Sequence, residues 1–118
     1  MKIRSLPYRL TVCKLDHIEE LTGFYSLTVT GEEISLVCET DRTPQGILAR
    51  EDGWRTFKVE GPLDFSLVGI LARISSCLAE RAIPLFALST YDTDYVLVKE
   101  QCFEESLAAL KEKGFTII

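Results

Sequence analysis

The feature that most narrows the fold is a repeated change of hydrophobic period along residues 54–118. Residues 54–60 alternate, with Phe57 and Val59 on one face and Thr56, Lys58 and Glu60 on the other, which predicts a strand. Gly61-Pro62 ends it, because proline donates no ladder hydrogen bond. Asp64 or Ser66 can then cap a helix running to about Arg81. Leu67, Leu71, Ile74 and Leu78 form one stripe on it; Val68, Ala72, Ser75 and Ala79 form a smaller one suited to close packing on a sheet.

Pro84 opens an apolar strand over 85–90, the turn Tyr91-Asp92-Thr93-Asp94 follows, and 95–99 returns as a strand. A second helix is predicted over 103–113, with Phe103, Leu107 and Leu110 on one stripe. Glu104 and Glu105 in its first turn and Lys111 and Lys113 in its last suit the helix dipole, and Gly114 stops it. A short strand closes the series at 115–118. The order β-α-β-β-α-β is that of an α+β, ferredoxin-like unit: a four-stranded antiparallel sheet with both helices on one face. Its other face is expected to pack on a further unit or chain.

The first half gives weaker signals. Strands are expected at 8–14, 24–30 and 34–39, the last two joined by Thr30-Gly31-Glu32-Glu33. A short helix is expected at 15–22, with Ile18 and Leu21 inward. Residues 40–53 are expected to be mainly a connector, with one helical turn at 45–50. The shared β-α-β-β rhythm suggests two units, an eroded one at 1–53 and a complete one at 54–118.

Composition excludes several classes. The net charge is -5 with both signs interspersed, so the basic stripe that a nucleic-acid binder needs is missing. No apolar run approaches the roughly 20 residues that span a bilayer, and Lys2 and Arg4 precede no signal-peptide core. Cys13, Cys38, Cys77 and Cys102 are widely spaced and His17 is the only histidine, so neither a zinc site nor any other cofactor is expected. Reduced thiols in an acidic chain fit a cytoplasmic protein. No catalytic residue is assigned. Cys102, near a helix start, is the one thiol worth testing, but no base partner is in view. His17 reads as solvent-facing, and Trp54 as a core or interface anchor.

Leu67-Val68-Gly69-Ile70-Leu71-Ala72-Arg73-Ile74 resembles the helix-opening motif of ACT domains, usually Asp-x-Pro-Gly-x-Leu-Ala-x-Ile/Val. Gly69 stands at the glycine position; Ser66 replaces the usual Asp and Val68 the usual Pro. The stretch 84–98, above all Ser89-Thr90-Tyr91-Asp92-Thr93-Asp94, resembles the ACT subgroup related to CASTOR, whose members are cytosolic arginine sensors with tandem ACT units. The resemblance covers residues 54–118. It implies a regulatory domain that binds a small molecule at an interface between ACT units, with a homodimer expected, and it leaves the ligand open.

The residues suit an amino acid or a similar small polar ligand. The helix start at Ser66, Leu67, Val68, Gly69 and Ile70 offers free N–H groups to a carboxylate, and Gly69 permits close approach. Asp92 or Asp94 can receive an ammonium group, Ser89 and Thr90 supply hydroxyls, and Tyr91 can wall a pocket. Each also has a plainer reading: caps for Asp64 and Ser66, relief of helix–sheet crowding for Gly69, turn formers for Asp92 and Asp94, packing for Tyr91. The rival function is an interaction module that pairs through the same fold and binds no small molecule.

Overall fold

The computed structural model describes residues 1–60 and 69–118. The described chain divides into two compact units, one of residues 1–7 and 55–118, the other of residues 8–54. The first contains β1 (Lys2–Ser5), the last part of β5 (Ile47–Val59), α1 (Ile70–Ala79), β6 (Phe86–Ser89), β7 (Asp94–Lys99), α2 (Phe103–Glu112) and β8 (Thr116–Ile117). The second contains β2 (Leu10–Leu15), β3 (Tyr25–Val29), β4 (Ile34–Glu39) and the first part of β5.

In the larger unit the strand order is β8-β1-β5-β7-β6. The expected four antiparallel strands are thus five. β1 inserts between the first and last strands of the β-α-β-β-α-β series, antiparallel to β5 (Ile3 opposite Val59) and parallel to β8 (Ile3 opposite Ile117). Lys2–Ser5 is only four residues with one buried side chain, too short for alternation to announce it.

One core joins this sheet to its helices. Ile3, Phe57, Val59, Val96 and Val98 meet Ile74, Cys77 and Leu78 of α1 and Phe103, Ala109 and Leu110 of α2. The buried stripe of α1 therefore runs through Ile74, Cys77 and Leu78; Ala72 and Ala79, expected to pack on the sheet, are exposed. Both helices close alike, with the N–H of Ile83 and of Phe115 reaching back five residues to the carbonyls of Leu78 and Leu110. Buried Ser106 donates its hydroxyl to the Cys102 carbonyl one turn earlier, which removes the cost of burying it.

The smaller unit is a four-stranded antiparallel sheet in the order β3-β4-β2-β5. The helix expected at 15–22 does not form. Leu15 is the last residue of β2, opposite Ile34, and Ile18 is 52% exposed, so the segment lacks an inward face. Its carboxylates hold loop groups instead: Glu19 accepts from the Gln45 N–H (3.4 Å) and lies 2.9 Å from His17 Nε2. Glu39 accepts from the Phe24 N–H at 3.0 Å.

Residues 40–53 also differ from the expected connector. A 3-10 turn occupies Thr40–Arg42, and from Ile47 the chain is already strand, so there is no helical turn at 45–50. Asp52-Gly53, within the expected connector, forms a bulge: the β2 partners step from Val12–Glu51 to Leu10–Trp54. Gly53 takes φ +85°, which a side chain would resist, and the strand continues through it. Asp52 Oδ1 accepts from the buried Thr11 hydroxyl at 2.6 Å.

The two units share an internal plan. The hairpin pairs Leu27–Leu36, Thr28–Ser35 and Val29–Ile34 recur as Ala87–Val96, Leu88–Tyr95 and Ser89–Asp94, 60 residues on. Thr30 N–H donates to the Glu33 carbonyl at 3.0 Å, and Thr90 N–H to the Thr93 carbonyl at 2.8 Å. A 3-10 turn follows each hairpin, at Thr40–Arg42 and Glu100–Cys102. β5 is the last strand of one series and the first of the other.

Candidate functional site

The β6–β7 hairpin is built by its own side chains. Thr90 Oγ1 donates to the Thr93 carbonyl (3.1 Å) and accepts from the Thr93 N–H (3.2 Å), which closes the four-residue turn. Ser89 and Asp94 face each other across the two strands, and the Ser89 hydroxyl donates to Asp94 Oδ1 at 2.6 Å. Being opposite one another, Ser89 and Asp94 lie on the same sheet face as the pair Ala87–Val96, which is the face that α1 and α2 cover.

Thr93 ties this hairpin to the end of β5. Its side chain is buried, and its hydroxyl donates to the Val59 carbonyl. The next residue, Glu60, donates its N–H to the Lys2 carbonyl at 2.9 Å. Its carboxylate accepts from Arg4 Nε at 2.8 Å, and this guanidinium holds the Glu60 carboxyl below its ordinary range. The hairpin, the end of β5 and β1 thus converge where the chain leaves the sheet toward α1.

Of the residues singled out in the sequence, Ser89, Thr90, Asp92 and Asp94 stand in or beside this turn. Asp92 is exposed at its tip. Tyr91 is 81% exposed beside it. Ser66, Leu67 and Val68, with the proposed caps Asp64 and Ser66, lie outside the described residues. Gly69 precedes α1 with φ +82°, a left-handed backbone that suits glycine; a Cβ there would meet nothing within 4 Å. Ile70 opens the helix and packs against the core. Gly69 lines a groove completed by α1 and by Lys113 and Phe115 rather than by the hairpin. Thr93 received no role from the sequence, since a threonine in an Asp-rich turn reads as solvated. Its distance from Val59 along the chain hides the contact.

The thiols behave as interior groups. Cys13, Cys38 and Cys77 are buried and Cys102 is partly exposed; all four are free. Burial, reinforced by the neighbouring Cys13, pushes Cys38 up to about 12, and burial also raises Cys13 and Cys77. Among the described residues no three His, Cys, Asp or Glu side chains converge as a metal set. No helix among them is long and apolar enough to cross a membrane.

Comparison with known proteins bears on the family and the fold. A family model described as ACT domain matches residues 49–112. A crystal structure of a protein from Agrobacterium tumefaciens is 32% identical with a TM-score of 0.87, over 99% of this chain and 91% of that one. A protein of unknown function from Vibrio cholerae, described as a possible transport protein, is 18% identical with a TM-score of 0.75, over 92% and 86%. Aspartate kinase of Clostridium acetobutylicum, described as an allosteric enzyme, is 12% identical with a TM-score of 0.65; the match covers 91% of this chain and 32% of that one. The last two likenesses speak for the fold.

Proposed function

The chain belongs to the ACT domain family, and on that footing we propose that it is a regulatory module that binds a small, amino-acid-like ligand and performs no catalysis. The observation that carries this reading is the tie between Thr93 and Val59. It holds the Ser89–Asp94 hairpin against the strand end that leads into α1. A carboxylate beside short hydroxyls, fixed before any ligand arrives, suits an ammonium group, and the start of α1 suits a carboxylate. A ligand that prefers one arrangement of the surrounding segments stabilises it by mass action.

The same reading makes residues 8–54 a second ACT-like unit whose helices have been replaced by loops. Its strand order and the 60-residue hairpin correspondence support this. A place in the CASTOR-related subgroup, a homodimer and a reducing, cytoplasmic setting belong to the proposal as well; the four free cysteines favour the last.

A thermal-shift screen against the twenty amino acids tests it. Ligand at a hundred times its dissociation constant adds about 2.7 kcal/mol, a rise of several degrees. The expected result is a selective rise that Asp94→Asn removes while leaving the unliganded midpoint near the parent's. No rise with any amino acid at millimolar concentration overturns the sensor. One observation favours a ligand-free interaction module in that event: Ser89, Thr90 and Thr93 already spend their hydroxyls on Asp94, the turn and Val59.

A further inference from the structure

A groove of about 450 Å³ runs along the outer face of α1, away from the hairpin. Gly69, Ala72, Arg73, Ser76 and Glu80 line it from α1 and the residues flanking that helix, at the three-, four- and seven-residue spacings that share one helix face. Lys113 and Phe115 line it from the link between α2 and β8. Its volume falls within the roughly 300–1,000 Å³ typical of small-molecule sites. The helix side chains lining it are short at Gly69, Ala72 and Ser76, which leaves the space open.

The charges are unusual for an acidic chain of net -5. Arg73 stands with its guanidinium carbon 4.8 Å from the centre of the buried Phe115 ring, a contact that restrains its long side chain. Among the described residues Arg73 makes no ion pair. Arg81, by contrast, lies 2.6 Å from Glu112 and 3.9 Å from Glu105. Lys113 Nζ lies 3.2 Å from Glu80, both side chains being more than half exposed. Such a pair is weak and screened by salt, so Lys113 can turn to another anion at little cost. Among the described lining residues, two cations and one carboxylate leave a net positive charge.

We infer that this groove binds a small oxyanion, with Arg73 as the forked donor, Lys113 as the second cation and the Ser76 hydroxyl as a further donor. A planar guanidinium held on a ring offers two parallel N–H groups to a carboxylate or a phosphate. Glu80 competes with the ligand for Lys113. Its removal therefore has a sign opposite to that of removing either cation. The groove shares Gly69, at the start of α1, with the reading given above, but none of its lining residues belongs to the hairpin.

The test is an amide-resolved NMR titration of the full chain with succinate and, separately, inorganic phosphate, at constant ionic strength set with sodium chloride. Saturable shifts centred on Gly69, Ala72, Arg73, Ser76 and Lys113 are expected for at least one of the two, and the better ligand names the class. Arg73→Gln should weaken binding at least tenfold. Glu80→Gln should tighten it roughly fivefold, the order of one charge about 4 Å away at the dielectric of water, as suits a pair this exposed. Asp94→Asn, at a residue not among those lining the groove, should leave it unchanged. Absence of saturable shifts with both anions overturns the inference. So does Glu80→Gln without effect, or loss of the groove shifts in Asp94→Asn, which would put the anion at the hairpin.

Discussion

Thr93→Val isolates the contact on which the site geometry depends. The substitution keeps the shape and the β-branch and removes one hydroxyl, which donates to the Val59 carbonyl from a buried position. The Thr93 N–H keeps its acceptor, Thr90 Oγ1, at 3.2 Å, so the turn itself should survive. The loss is then one buried hydrogen bond and the desolvation of the carbonyl left behind, about 1–3 kcal/mol. For a chain of 118 residues each kcal/mol corresponds to about 4 °C at the midpoint. A fall of about 4–12 °C is expected in scanning calorimetry, with Thr93→Ser recovering most of it because the hydroxyl returns. Hydrogen exchange should quicken in the β6–β7 hairpin and at the end of β5 and much less in β3–β4. A midpoint within about 1 °C of the parent, or a Thr93→Ser protein as unstable as Thr93→Val, would refute the assignment.

Three further outcomes follow from the structure. His17 sits between Glu19 (2.9 Å) and Asp16 (3.5 Å), and its pKa is raised above 6.5, first by the Glu19 hydrogen bond. The pairing therefore contributes fully below pH 6.5, the unfolded value, and is lost as pH rises through the higher folded value. As the only histidine, its ring proton can be titrated by NMR without ambiguity, and a midpoint at or below 6.5 contradicts the pairing. Leu78→Ala empties a fully buried position of the α1 core and should cost about 2–5 kcal/mol in urea unfolding; under 1 kcal/mol would mean that the core closes over the gap. A thiol reagent at pH 8 should modify Cys102 first in the folded protein and reach Cys13, Cys38 and Cys77 only on denaturation. Fast labelling of Cys38, whose thiol is pushed up to about 12, would show that the smaller unit opens readily.

What the sequence disclosed depended on how far its signals reach. Phe57, Val59, Ile74, Leu78, Phe103 and Leu110 declare their burial through local period, and all are buried in one core. β4 occupies 34–39 as expected, because Leu36, Val37 and Cys38 form an apolar run between polar ends. Lys2–Ser5 escaped notice since its partners are Val59, Lys58 and Phe57, more than 50 residues away. Residues 40–53 misled for a different reason: their Asp, Thr, Pro and Gly suit a connector or a bulged strand, and only pairing with β2 decides which. At the site, the Ser89–Asp94 pairing is legible from the hairpin alone, whereas the role of Thr93 requires knowing that β5 lies beside β7.

The smaller unit shows that a sheet of this order can hold its hairpin without a covering α-helix. Its buried face carries Cys13, Leu15, Leu36 and Cys38, with Leu21, Leu27, Ile34 and Ile47 packed against them. That cluster is modest beside the thirteen buried residues of the larger core, and a loop carrying Leu21 suffices to cover part of it. The hairpin's stability is local: Thr30, like Thr90, closes the turn by itself. The chemistry attributed to the site does not recur there. Where one hairpin has Ser89, Thr93 and Asp94, the other has Val29, Glu33 and Ile34 at the corresponding positions. Val29 and Ile34 offer neither the hydroxyl nor the carboxylate on which the proposed ligand contact rests. On that reading each chain carries one hairpin site, and binding should saturate at one ligand per chain.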